Sequence, residues 1–282
     1  MKGTIVISGI RGFLGRNLYS YFKDDYQLYG IGSTAEKWSG IDVFSSDRIE
    51  EIAIVPDFLI LCHAAVSSGQ TSQSNELLFD VNVSVTEKII KKFSSSKIIY
   101  ISSASIYDSN SDLIQEKTVV NPLTDYAVSK LWAELLISKI PNAVIVRLSS
   151  LYGKGMKENT IIPNYINQAL QNGLIEVWGK GERKQNYIHV TDVCICLNTI
   201  INNFDAIKSK LLLAVSKKEY SNTELAQIIV EETGATLQYV NDDHSKSLYY
   251  NNDLTCKLLG WEPKLNFKDE IISYIKWKKK QF

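Results

Sequence analysis

Thr4-Ile-Val-Ile-Ser8-Gly9-Ile-Arg-Gly12-Phe-Leu-Gly15 joins a β-branched run to a turn carrying three glycines, and Leu14, Leu18, Tyr21 and Phe22 then follow at helical spacing. The pattern predicts a strand, a tight turn and a helix, in that order. Such a turn needs residues free to take unusual dihedrals, and a backbone that approaches a phosphate closely leaves no room for a Cβ. The helix start adds unpaired N–H groups and the positive end of a dipole. The turn is therefore a candidate pyrophosphate cradle. The competing reading is three glycines that serve only turning and packing.

Working outward, further short β-branched runs at Gln27–Ile31, Asp57–Cys62, Lys97–Ser102 and Ala143–Leu148 alternate with helix-length segments up to about residue 150. That rhythm predicts an α/β fold, a Rossmann-type doubly wound parallel sheet covered on both faces. Beyond it, helical stretches (Ile161–Asn172, Ser221–Thr233, and a last helix from Phe267) mix with the short strands Glu176–Trp178 and Tyr187–Val190. The expected division is a dinucleotide-binding domain over 1–150 and a smaller mixed α/β lobe for substrate over 151–282, with some later segments returning to the sheet.

The 282 residues are 45% hydrophobic and 22% charged, with 31 basic against 31 acidic side chains. A balanced charge gives no global field to attract nucleic acid or an anionic membrane, so an anionic ligand must be held by local groups. The longest apolar runs fall short of the ~18 residues of a membrane span. The basic Lys276–Lys280 turn suits a helix C-terminus. Neither the four cysteines nor His63, His189 and His244 show metal-ligand or disulfide spacing, and the N-terminus shows no export signal. The expectation is a reduced, cytoplasmic protein without structural metal.

Tyr126 and Lys130 in Tyr-Ala-Val-Ser-Lys lie four apart, on one face of a helix. A free tyrosine titrates near ~10, and a neighbouring cation favours its charged form. The pair is thus a candidate phenol for proton transfer near neutral pH. Alone it is weak, since a half-buried ring and a solvated charge commonly share that spacing.

Taken together, several motifs resemble the extended branch of the short-chain dehydrogenase/reductase superfamily, the nucleotide-sugar epimerases, dehydratases and reductases. They are the glycine turn, His63-Ala-Ala65, Asn82 in Phe-Asp-Val-Asn-Val, Ser102-Ser-Ala-Ser-Ile-Tyr107, Tyr126 with Lys130, Arg147-Leu-Ser-Ser-Leu-Tyr-Gly153, Tyr187-Ile-His-Val-Thr-Asp192 and Leu259-Gly-Trp-Glu-Pro263. The resemblance implies Tyr126 as general acid/base and Lys130 as the holder of the cofactor ribose. It also implies Ser103 as partner of the reacting oxygen and Asn82 as support for the lysine. Gly9, Arg11, Gly12, Phe13, Leu14, Gly15, Ser33, Asp42, Val43, His63, Ala64 and Ala65 are the implied cofactor-binding residues, with Tyr126 and Lys130. Dehydratases of this branch carry Asp-Glu after the residue matching Ser103; here Ala104-Ser105 follows, which disfavours elimination of water.

NAD-binding relatives place an acid at the end of the second strand, where this chain has Gly-Ile-Gly-Ser-Thr34. Arg11 and Ser33 suit a 2′-phosphate instead, so NADP(H) is favoured over NAD(H). The substrate expectation is a nucleotide sugar, contacted by Ser150 and Gln185, where the branch has Asn and Arg, with Arg183 as the substitute cation. Arg183 lies two residues from Gln185, on the same side of an extended strand. The leading activity is 4-keto reduction. Alternatives are 4-epimerisation, reduction of a carbonyl compound without a nucleotide, and a non-catalytic dinucleotide sensor. Relatives dimerise through two helices of the first domain, so a homodimer through Glu76–Phe93 and Tyr126–Ile137 is expected.

Overall fold

The computed structural model describes residues 1–66, 72–107 and 113–281. Its first half runs β1 (Thr4–Ser8), α1 (Phe13–Phe22), β2 (Gln27–Gly32), β3 (Glu36–Trp38), β4 (Ile41–Ser45), β5 (Phe58–Leu61), α2 (Asn75–Phe79), α3 (Val85–Lys92), β6 (Lys97–Ser103), α4 (Asp125–Ile137) and β7 (Ala143–Leu148). The second half adds β8 (Ser150–Tyr152), α5 (Ile161–Asn172), β9 (Leu174–Trp178), β10 (Lys184–His189), α6 (Val190–Asn203), β11 (Leu211–Ala214), β12 (Glu219–Ser221), α7 (Asn222–Thr233), β13 (Thr236–Val240), α8 (Asp253–Leu259) and α9 (Phe267–Lys279).

An eight-stranded sheet has the order β11-β7-β6-β5-β1-β2-β4-β3. All its pairings are parallel except β3 with β4. The chain builds outward from β1 through β2 to β4 and β3, then returns to the other side of β1 with β5. A crevice forms at such a reversal, outside the carboxyl ends of the strands. Here it opens where Gly9 and His63 leave β1 and β5.

Strand alternation explains why the sheet is covered twice. Ile5 and Ile7 share one core with Ile60, Ile99, Val144 and Val146, whereas Val6 faces the other with Leu59, Leu61, Ile98 and Tyr100. Each such side chain, fully buried, contributes about 1.5–3 kcal/mol of transfer free energy. β11, α6 and α8 come from beyond residue 150 yet pack on this sheet. The remaining later elements form a second core around Tyr165, Ile175, Tyr187, Leu225, Phe267 and Ile271. Phe13, at the start of α1, touches both cores. Among the described residues no helix is long and apolar enough to cross a membrane.

Candidate active site

The glycine turn lies at the carboxyl edge of β1. Gly9 takes φ +70°, and a Cβ there would stand 2.7 Å from the His63 Cα. A side chain on Gly15 would lie 2.3 Å from the Gly9 carbonyl oxygen, so α1 seats on the turn only with glycine at that position. Gly12 caps α1 without any side-chain hydrogen bond. The first-turn N–H groups are thus left to an anion, and the small, Cβ-free cradle fits the pyrophosphate of a dinucleotide. Leu14 is buried behind the turn.

Across the crevice, α4 carries the candidate pair Tyr126 and Lys130 over the end of β6. Thr124 caps the helix by accepting from the Ala127 N–H, which places Tyr126 in its first turn. The Ser103 hydroxyl donates to Ser105 at 2.8 Å and lies close enough to the Tyr126 phenol to favour its charged form. Burial pushes that phenol above its ordinary pKa, and Ser103 pulls partly back. Lys130 is buried, donates to the Ile101 carbonyl at 2.7 Å and lies 4.2 Å from the centre of the Tyr100 ring. Burial brings its pKa down to about 7, while Glu134 and Cys62 act to raise it. The sequence suggested an ammonium beside the phenol; in the structure it bonds a strand carbonyl, two residues along β6 from Ser103. Both Ile101 and Ser103 lie toward the carboxyl end of β6, so one strand end meets both candidate side chains.

Asn82 ties the crevice together from a π-helical turn, Asp80–Ser84, between α2 and α3. Its amide accepts from the Ala65 N–H at 2.8 Å and donates to the Ala65 carbonyl at 3.0 Å and to the Ser129 hydroxyl at 2.9 Å. Ser129 in turn donates to the Tyr126 carbonyl. His63 meets Ser8 at 2.6 Å through Nδ1 and Thr86 at 3.1 Å through Nε2. Because the Thr86 hydroxyl spends its proton on the Asn82 carbonyl, His63 carries its proton on Nε2. Burial, with Lys130 nearby, depresses His63 to about 3 and keeps it neutral. His63 is a structural strut between β1, β5 and α3. Ala64 is exposed beside it.

At the adenosine end, Arg11 donates to Ser33 at 3.2 Å and forms an ion pair with Glu36 at 2.5 Å. Val43 is buried against Gly30 and Gly32, and Asp42 pairs with Lys37. Register places Ser45, not Asp42, opposite Gly32 at the strand ends, so the structure does not bring Asp42 to the sheet's carboxyl edge.

The substrate candidates gather on the three-stranded sheet β12-β10-β8. Ser150 lies exposed opposite Tyr187. Gln185 donates to Asn222 at 3.2 Å. Arg183 stands beside the β10 start with its Nε buried and unpartnered, its charge acting on Tyr187 and Asp243. Two hollows, of about 570 Å³ against α9 and about 430 Å³ between α6 and α8, lie away from Tyr126 and Lys130.

Sequence reasoning missed the residues behind the site. Glu134 holds Arg147 by two bonds, of 2.9 and 2.6 Å, and Arg147 also donates to Tyr107 at 2.7 Å. Glu134 follows Lys130 by four residues, a helical spacing that was legible; its partner on β7 was not. Glu36 and Ser129 also escaped notice, since their roles depend on strand register and on the π turn.

A family model for the NAD dependent epimerase/dehydratase family matches residues 5–215. A dTDP-D-glucose 4,6-dehydratase of Mus musculus is 25% identical, covering 83% of this chain and 70% of that protein. A UDP-glucuronate 4-epimerase of Thermodesulfobacterium geofontis is 22% identical, covering 98% of this chain and 96% of its own. Among solved structures, the UDP-glucuronic acid 4-epimerase of Bacillus cereus with UDP-glucuronic acid and NAD superposes with TM-score 0.81 at 18% identity, covering 98% of this chain and 99% of that one. With the glycine cradle and the Ser103, Tyr126 and Lys130 cluster in place, the chain belongs to the NAD dependent epimerase/dehydratase family, the extended short-chain dehydrogenase/reductases that its motifs resemble.

Proposed function

We propose that the protein epimerises a nucleotide-activated sugar at a hydroxyl-bearing ring carbon, C4 by analogy with the epimerases it resembles. The observation that carries this reading is that Tyr126, in the first turn of α4, stands beside Ser103 at the end of β6, with Ala104-Ser105 following in place of two carboxylates. Tyr126 takes the proton of the sugar hydroxyl and returns it, while Ser103 orients the same oxygen. A bound nicotinamide dinucleotide supplies the hydride acceptor and donor. Lys130, on the same helix face, is the proposed holder of the cofactor ribose. Elimination of water needs a further acid and base near the sugar; Ala104 is buried and Ser105 is bonded to Ser103, so neither supplies one.

The expectation of a 4-keto reductase rested on an adenosine corner without a carboxylate. Glu36 stands at that corner, which removes the ground for it. Arg183, with its unpartnered Nε, is the proposed cation for the substrate diphosphate. We also take the protein to work as a homodimer, through the exposed apolar face of α2 and α4.

The test offers UDP-, dTDP-, GDP- and CDP-sugars to the purified protein with a catalytic amount of dinucleotide, and reads products by NMR. The expected result is interconversion of two C4 epimers with no net change in reduced dinucleotide. Stoichiometric oxidation of NADH or NADPH by a 4-keto sugar would instead make it a reductase, and release of water would make it a dehydratase.

A further inference from the structure

We infer that Glu36 sets the cofactor choice of this chain, holding Arg11 so that the adenosine corner accepts a free 2′-hydroxyl, as in NAD(H), and rejects a 2′-phosphate. This rests on the reading that a dinucleotide lies along the carboxyl edge of β1 and β2.

Three observations place the device. First, the Arg11 guanidinium lies over the end of β2. A Cβ on Gly32 would stand 3.1 Å from Nη2 and 3.5 Å from Cζ, so Arg11 fills the space into which a side chain at position 32 would project. Glycine at position 32 thus admits the arginine at the end of a strand that offers no carboxylate. Second, Arg11 is already held on both sides, by Ser33 from the β2 exit and by Glu36 from the first position of β3. Third, β3 lies antiparallel on the outer side of β4, with Glu36 opposite Val43, and Val43 opposite Gly30 of β2. The β3–β4 ribbon is thus what delivers a carboxylate to a corner that β2 leaves without one. It arrives from a different strand, so the pattern of β2 alone could not announce it.

The chemistry then follows from donors and acceptors. Ribose hydroxyls offer hydrogens, which the second oxygen of Glu36 accepts while the first stays on Arg11. A phosphate monoester carries about −1.5 to −2 charge near pH 7 and presents only acceptors. Against Glu36 it meets a like charge and a guanidinium whose charge is already answered. Lys37, next on β3, adds no free cation because it pairs with Asp42 at 2.6 Å. Arg11 and Glu36 side chains are 34% and 39% exposed, open enough for a ligand to reach both. The arginine that from the sequence alone suggested NADP(H) is, with Glu36 beside it, an orienting group for NAD(H).

The test is calorimetric binding of NAD⁺ and NADP⁺ to the full chain, without sugar and without turnover. The unaltered protein is expected to bind NAD⁺ at least about tenfold tighter, the factor of one misplaced charged contact. Glu36→Gln keeps shape and removes the charge; the preference should shrink by about tenfold, chiefly through tighter NADP⁺. Adding Arg11→Ser to Glu36→Gln should abolish that gain, because the freed guanidinium is what the phosphate uses. Tighter NADP⁺ binding by the unaltered protein, or an unchanged ratio in Glu36→Gln, overturns the inference and leaves the family reading intact. Binding of neither dinucleotide would sink the dinucleotide reading itself. Melting curves of the variants are expected to overlay, since the pair is solvent-exposed and such pairs contribute little to stability.

Discussion

At the scale of single residues, Lys130 shows a functional group kept at a cost in stability. Its pKa is about 7 in the folded chain and near its ordinary value when unfolded, so the unfolded chain binds the extra proton between those limits. Stability therefore rises with pH from about 7 towards 10.5, and the penalty is full below 7, where both states are charged. Lys130→Met should raise stability at pH 6 by about 1–3 kcal/mol, after the lost bond to the Ile101 carbonyl is subtracted. That gain should vanish near pH 10, as urea unfolding at the two pH values would read. His63 acts in the same direction lower down: its depressed pKa makes stability fall as pH drops from about 6.5 to about 3. Tyr126→Phe should lower turnover by about 10²–10⁴-fold, because the proposed role of the phenol is to move a proton. The shared helix face of Tyr126 and Lys130 was legible because helix spacing is local, whereas Ser103 and the roles of all three came from the resemblance to a family. That Lys130 bonds Ile101 was not legible, because it depends on how α4 crosses β6.

At the scale of elements, the catalytic helix is fixed by charge as well as by packing. Glu134 on α4 and Arg147 on β7 are both nearly inaccessible and joined in a two-bond fork. Tyr107 receives a third Arg147 bond and donates to the Glu116 carbonyl, while the Glu116 carboxylate accepts from both the N–H and the hydroxyl of Thr255 on α8. The network thus clamps α4 to β7 and α8. Breaking one side of a buried pair leaves an uncompensated charge, so Arg147→Met should cost about 3–5 kcal/mol. Glu134→Leu combined with Arg147→Met should recover most of that loss, because an apolar pair has no charge to strand. A double-mutant cycle by urea unfolding reads this directly, and a double variant no better than Arg147→Met would refute the clamp. Glycine substitution is sharper still: Gly15→Ala forces a Cβ onto the Gly9 carbonyl, so it should abolish dinucleotide binding by tilting α1 away. Strands β1, β2, β5, β6 and β7 were readable from β-branched runs. β3 and β4 were not, because Glu36–Trp38 is short and polar and Ile41–Ser45 looks like loop until its partner strand is known. α7 was readable to within one residue, since Ser221 and Glu224 spell a capping box that the structure forms.

At the scale of the whole molecule, the proposed homodimer rests on the outer face of α4. Val128, Trp132 and Leu135 recur at helical spacing and are 45%, 50% and 58% exposed, beside Leu77 and Phe79 of α2. Phe79 and Trp132 already meet edge to face at 5.2 Å. In the proposed homodimer a second copy would offer this patch the same α2–α4 face, turned by a two-fold axis, and the four helices would close into a bundle. The inner face of α4 carries Ser129, Lys130 and Glu134, so the helix that would be gripped by a partner is the one that positions the chemistry. Trp132→Glu with Leu135→Lys places unlike charges in that patch without touching the inner face. Sedimentation velocity should show the unaltered chain as a dimer at micromolar concentration and the double variant as a monomer. The monomer should also lose turnover, because α4 carries both Tyr126 and Lys130. A monomeric unaltered chain would refute the dimer, and a monomeric variant with full turnover would uncouple assembly from catalysis.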